Sequence, residues 1–247
     1  MSKRIHILNT NVDSYTMSET LKKVDAAIKE KIQLHHVAVN AGKIVAMQSN
    51  KELRTSVNQC DVISPDGQAV VWASKVLGKP LKERVAGIDL MQNLVKYAHE
   101  NNHKIYLLGA KEEVVATLVY KYTKDYGKSL IAGYRNGYFK KAEESKIVED
   151  IVNSNAQLLF VAITSPKKEN FLYRHREQLK SINFIMGVGG SFDVISGKTK
   201  RAPIWMQKTG FEWFYRFLQE PKRMWKRYLI GNSKFIFLVL KERLKGN

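Results

Sequence analysis

The chain has 247 residues, with 41 Lys and Arg against 23 Asp and Glu, a formal net charge of +18 and 44% hydrophobic residues. That size fits one large domain, or one domain with an appendage; the composition excludes a wholly disordered chain, and the single cysteine, Cys60, excludes an intramolecular disulfide framework. The start MSKRIHILNT turns polar too soon for a signal peptide and no apolar run reaches roughly 18 residues, so a cytoplasmic location is expected, with an anionic partner: nucleic acid, an anionic membrane or a phosphorylated substrate.

Ile5–Leu8 reads as a strand. Ser18, ahead of Leu21, Val24 and Ile28, predicts an N-cap and an amphipathic helix. Further strands are predicted at Leu34–Asn40, Asp61–Ser64, Lys104–Leu108, Leu130–Tyr134, Gln157–Ile163 and Asn183–Val188. Most are apolar runs rather than alternating ones, as for strands covered on both faces. Helical patterns cover 67–77, 88–101, 111–126, 141–154 and 167–180. This alternation predicts an α/β fold: a doubly wound, mostly parallel sheet with Rossmann-like halves over residues 1–197. Residues 198–247 are expected to form a basic helical C-terminal appendage.

In such sheets ligands gather at the carboxyl ends of the strands. Asp66 follows a strand in Ser64-Pro-Asp-Gly67, a turn that lifts its carboxylate out of the sheet edge. It fits a general base, and equally a cap for a helix starting near Gln68. Gly187-Val-Gly-Gly-Ser-Phe-Asp193 fits a phosphate loop, because small residues let backbone N–H groups approach a pyrophosphate; a tight strand–helix turn reads the same. Lys167, Lys168 and Glu169 follow Pro166, which suits the first position of a helix; the basic pair Lys167 and Lys168 fits a phosphate contact, and equally a solvated helix start. Arg84, before a predicted helix, could reach an anionic substrate. The six histidines lack metal-ligand spacing, and no metal site is expected.

The last fifty residues hold thirteen basic and three acidic side chains, ten of the eighteen net positive charges, and three of the four Trp. Arg223 and Arg227 share a helical face, and the apolar run Phe235–Leu240 lies between Lys234 and Lys241. This run is too short to cross a bilayer; it suits an interfacial helix, or one docked on the core. No helix-turn-helix or RNA-binding signature is present, so nucleic acid is the weaker reading.

Taken together, Ser64-Pro-Asp-Gly67, Arg84-Val-Ala-Gly-Ile-Asp-Leu90, Ser165-Pro-Lys-Lys-Glu169, Gly187 through Gly197, Arg201-Ala-Pro203 and Glu212-Trp through Arg227-Tyr228 resemble the WecG/TagA/CpsF family of bacterial glycosyltransferases. The resemblance covers nearly the whole chain. It implies an inverting, metal-independent enzyme without a cofactor. Such an enzyme moves N-acetylmannosamine, its uronic acid, or glucose from a UDP-sugar to a polyprenyl-diphosphate-linked saccharide, at the inner face of the plasma membrane, in cell-surface polysaccharide synthesis. By the same resemblance Asp66 is the base and Arg84 a pocket residue. Asn40, Gly67 and Lys168 bind substrate, the positions of Ala38 and Lys168 lying near the donor or acceptor sugar. Gly187, Gly189, Gly190 and Asp193 lie on the nucleotide side. Arg216, Arg223 and Arg227 meet the diphosphate and the anionic membrane surface. The chain departs from the family pattern at Ala38, commonly Thr, and at Lys168, usually Gln. A catalytically degenerate scaffold of polysaccharide assembly is the alternative, and the sequence admits a homo-oligomer.

Overall fold

The structure, a computed structural model, describes residues 4–225 and 229–245, without the side chains of Arg223 and Met224. Its first element is a hairpin, β1 (Arg4–Ile7) and β2 (Thr10–Asp13), closed by Leu8 and Asn9 at φ 48° and 59°. Two successive positive φ values give the tight turn that matches the twist of antiparallel strands. The predicted first strand is therefore outside the main sheet. The hairpin is tied to that sheet by buried Asp13, whose carboxylate takes the Ile63 N–H at 2.8 Å and the Arg4 Nε at 2.8 Å.

Helix α1 (Met17–Lys29) is capped by Thr16 rather than Ser18. Thr16 Oγ1 accepts the Glu19 N–H at 3.1 Å, and the Glu19 carboxylate accepts the Thr16 N–H at 2.8 Å. Ser18 has Leu21 three residues on and cannot form this reciprocal box, which is worth roughly 1 kcal/mol. After β3 (Leu34–Val39) come two helices that the apolar patterning does not predict, α2 (Ala41–Ser49) and α3 (Lys51–Asn58). Both start on an asparagine cap: Asn40 Oδ1 accepts the Lys43 N–H at 3.1 Å, and Asn50 Oδ1 the Leu53 N–H at 2.9 Å.

Then follow β4 (Val62–Pro65), α4 (Gln68–Val76), α5 (Gly87–Glu100), β5 (Ile105–Gly109), α6 (Glu112–Tyr126), β6 (Ile131–Arg135), α7 (Glu144–Asn153), β7 (Leu158–Ala162), α8 (Lys167–Arg174) and β8 (Phe184–Gly187). Helix α8 stops at Arg174, short of the predicted 180, and in the turns beyond it Gln33 Nε2 donates to the carbonyls of Arg176 and Leu179 at 3.2 and 2.9 Å. The main sheet has six strands in the order β4-β3-β8-β7-β5-β6, every neighbouring pair parallel. Helices cover both faces. Leu94 of α5 and Leu118 of α6 pack with Leu107, Phe160 and Phe184 on one side. On the other, Ile44 of α2 and Val70 of α4 pack with Val37 and Ile63, and α7 and α8 pack over Leu108 and Val161. Each fully buried Leu, Ile or Phe contributes roughly 1.5–3 kcal/mol.

The chain ends in α9 (Ser191–Ser196), α10 (Ile204–Thr209), α11 (Glu212–Gln219), α12 (Pro221–Trp225) and α13 (Gly231–Lys245). One face of α13 docks on α2 and α4, burying Phe235 and Val239 in their core. The Glu242 carboxylate accepts the Leu8 N–H at 3.1 Å. The opposite face leaves Ile236, Phe237, Leu240 and Leu244 exposed. No helix among the described residues is long and apolar enough to cross a membrane.

Candidate active site

Strand register sets the site. Gly187 of β8 lies level with Val37 of β3 and Val161 of β7, and Val39 lies level with Pro65 of β4. The loops after these four strands therefore leave the sheet along one edge. With residues of α11 and α13 they enclose a cleft of about 1630 Å³. Asn40, Asp66, Gly67, Arg84, Lys168, Gly187, Gly189, Gly190, Asp193 and Arg216 all line it. Arg227 and the Arg223 side chain lie outside the described residues. Among the described residues, no group of three or more His, Cys, Asp and Glu side chains could hold a metal ion.

Asp66 follows β4, where the Asp66 N–H bonds the Val39 carbonyl at 2.9 Å. Its carboxylate does not cap α4, whose N-terminus at Gly67 has no side-chain cap. Instead Oδ1 accepts the Gly87 N–H at 2.9 Å, at the start of α5. Arg84 Nε donates to the Asp66 carbonyl at 2.7 Å. The base candidate is thus held at both its backbone and one carboxylate oxygen by the segment 84–87. Its other oxygen has no hydrogen bond among the described residues. A carboxylate so oriented can take a proton from a hydroxyl in the cleft. Asn40 lines the same edge, but its carboxamide oxygen is engaged in capping α2.

Opposite lies the glycine loop. The end of the Lys168 side chain lies across Gly187, where a β-carbon would come within 2.6 Å of Lys168 Cε. Lys168 and Glu169 are both buried, at 4% exposure each. Glu169 bonds Lys43 Nζ at 2.9 Å and lies 3.5 Å from Lys168 Nζ. Burial, reinforced by Lys43 and opposed by Glu169, pulls the Lys168 ammonium down to about 8. Burial would raise the Glu169 carboxyl, but Lys43 and Lys168 overcome it and hold it far below the usual range. Two ammonium groups share one carboxylate, so the cluster carries an excess positive charge at the floor of the cleft. Lys167, its neighbour in sequence, also lines the cleft, but its ammonium donates to the Phe139 carbonyl at 2.8 Å and sits 4.0 Å from the centre of the Phe139 ring.

Gly190 permits a second close approach: a β-carbon there would come within 2.5 Å of the Arg216 guanidinium. Arg216 comes from α11, so the basic C-terminal segment reaches the glycine loop. Its Nε is buried with no hydrogen-bond partner among the described residues. Gly189 adopts φ +55°, a turn that favours glycine. Asp193 lies 3.6 Å from Lys198. Helix α9 is only six residues long, so its own dipole adds little; the loop's backbone and the arginine carry the anion-binding case.

Sequence reasoning passed over Lys43, Glu169, Arg201 and Glu212 as site residues. For Lys43 a signal existed: Asn40, then Ala41, Ile44 and Met47 at three-residue spacing, marks a capped helix that aims Lys43 into the edge.

A parallel α/β sheet with a carboxylate and a cation-rich glycine loop facing one cleft is an arrangement that suits group transfer from an anionic donor. The glycosyl transferase WecG/TagA/CpsF family matches residues 5–247, and the chain belongs to that family; it is a glycosyltransferase. It is 34% identical to the N-acetylglucosaminyldiphosphoundecaprenol N-acetyl-beta-D-mannosaminyltransferase of Bacillus subtilis (strain 168) over 96% of this chain and 90% of that one. To the enzyme of the same name from Staphylococcus aureus (strain MW2) it is 33% identical over 98% and 94%. To that of Bacillus spizizenii (strain ATCC 23059 / NRRL B-14472 / W23) it is 36% identical over 79% and 74%.

Proposed function

We propose that the protein transfers N-acetylmannosamine from its UDP-sugar to N-acetylglucosaminyl-diphosphoundecaprenol, inverting the anomeric carbon without a metal ion. The printed names of the relatives, at 33–36% identity, support this donor sugar and this acceptor. The observation that supports the mechanism is that Asp66 and Arg216 line one cleft, with a carboxylate oxygen on one and a buried Nε on the other that have no hydrogen-bond partner among the described residues. The donor diphosphate lies along Gly187–Asp193, against Arg216 and over Lys168. Asp66 takes the proton of the acceptor hydroxyl, and the oxygen attacks the anomeric carbon from the face opposite UDP. Arg216 and Lys168 stabilise the charge that develops on the departing diphosphate.

The acceptor's lipid calls for an anionic membrane surface. Exposed Trp205, Phe237, Leu240 and Leu244, beside the basic residues of the C-terminal segment, fit an interfacial contact on the inner face of the plasma membrane. The test is UDP release from a panel of UDP-sugars, with polyprenyl-diphosphate-N-acetylglucosamine as acceptor and chelator present. Release with UDP-N-acetylmannosamine alone supports the reading; release with a different donor, or only after a divalent metal is added, overturns the corresponding part.

A further inference from the structure

Arg84 has a second partner besides the Asp66 carbonyl. Its Nη2 bonds Glu212 Oε2 at 2.6 Å, across 128 residues of sequence. Glu212 is the first residue of α11 and lines the cleft. Its other oxygen lies 3.6 Å from Arg201 Nε. Arg201 in turn grips Asp89 through two bonds of 2.6 and 2.8 Å. Asp89 sits in the first turn of α5, two residues beyond Gly87, whose N–H holds the Asp66 carboxylate.

These contacts close a ring: Asp66 carbonyl, Arg84, Glu212, Arg201, Asp89, the start of α5, and back to the Asp66 carboxylate. Two arginines face the Glu212 and Asp89 carboxylates, so these four charges cancel and Asp66 keeps its own negative charge. The guanidinium of Arg84 is compensated before any substrate arrives, and its bonds run to protein groups. That pattern suits an orienting arginine better than one holding a diphosphate. Its planar fork fixes two directions at once, the Asp66 loop and α11.

We propose that Glu212 is a positioning residue: through Arg84 it sets the Asp66 loop, so the C-terminal helices and the base are aligned as one unit. This rests on the reading of Asp66 as the base. Small displacements of a reacting group cost up to roughly a hundredfold in rate. Removing Glu212 takes away the charged outer anchor of Arg84, leaving on that side a 3.5 Å bond from Nη1 to the Gln207 carbonyl, and lets the Asp66 turn drift, while the donor loop keeps Arg216 and Lys168.

The experiment is a double-mutant cycle of Glu212→Ala and Asp66→Asn in the full chain, read as UDP release with UDP-N-acetylmannosamine and polyprenyl-diphosphate-N-acetylglucosamine. Hydrogen exchange over residues 66–87 is followed in parallel. Glu212→Ala is expected to lower kcat by about ten- to a hundredfold, with donor Kd within about twofold. It should also speed exchange at Gly87 and add no further loss in the Asp66→Asn background. Glu212→Gln, which keeps a bond to Arg84, should retain most of the rate. Glu242→Ala loosens α13 at Leu8 without touching the ring, and should lower stability while leaving kcat and exchange at Gly87 unchanged. Unchanged kcat in Glu212→Ala overturns the proposal, as do losses that multiply with Asp66→Asn. If no turnover is seen even in the native chain, the exchange data alone decide, and protection at Gly87 unaffected by Glu212→Ala overturns it. A fully active Asp66→Asn enzyme would instead defeat the reading of the base.

Discussion

Lys168 lies against Gly187 so closely that a β-carbon at Gly187 would come within 2.6 Å of Lys168 Cε. The last residue of β8 thus makes room for an ammonium from the start of α8. Gly187→Ala should push Lys168 aside, costing about 1–3 kcal/mol of stability from overpacking. Donor affinity should fall with it. Urea unfolding and UDP titration measure the two effects on one sample.

The Lys168 ammonium, pulled down to about 8 by burial, lies below the 10.5 of an ordinary lysine. The folded form loses this proton first. Between about pH 8 and 10.5 the burial penalty therefore fades, and folding stability gains from this group as pH rises. Donor binding should move the other way, weakening as pH passes about 8 and the positive charge is lost. Lys168→Gln should flatten that pH dependence of donor Kd.

Arg216 approaches Gly190 with a buried Nε that has no hydrogen-bond partner among the described residues. Bonds from such a group to a phosphate are worth roughly 1.5–3 kcal/mol, so Arg216→Ala should weaken UDP binding by about ten- to a hundredfold. Thermal stability should barely change. Calorimetric titration with UDP checks this directly.

His35 and His36, buried in β3, are held by desolvation to about 4 and about 3. His36 Nε2 lies 2.9 Å from Ser64 Oγ of β4. Both stay neutral in the fold but gain protons in the unfolded chain below the ordinary histidine value of 6.5. Stability should therefore fall as pH drops from about 6.5 toward 4, by up to roughly 2.7 kcal/mol per pH unit for the pair. Urea midpoints at pH 7 and 5 test it, and His36→Asn should about halve the slope.

Exposed Phe237 and Leu244 share the outward face of α13, whose inner face is fixed by Phe235 and Val239. Phe237→Glu with Leu244→Glu should reduce flotation with anionic liposomes and leave the fold intact by circular dichroism.

The placement of the loop residues at the strand ends was legible in the sequence because it is local. Asp66, Gly187, Gly190 and Lys168 each stand at the end of an apolar run that could only be a buried strand or the helix after it. Contacts between distant segments were not legible. Nothing near Asp66 reveals that its carboxylate meets Gly87 rather than capping α4, or that Arg84 pairs with Glu212. The hairpin β1–β2 was missed because Leu8 and Asn9 turn the chain without glycine. The helices α2 and α3 were missed because their starts rest on Asn40 and Asn50, which read equally as loop residues.

The central claim is that Asp66 deprotonates the acceptor. Its most direct test is the single-turnover rate of UDP release in Asp66→Asn, with donor bound to saturation. The Asn side chain preserves the shape and can still accept the Gly87 N–H, so the donor Kd should stay within about twofold while the rate falls by roughly 10²–10⁴. A rate near that of the native enzyme would contradict the account.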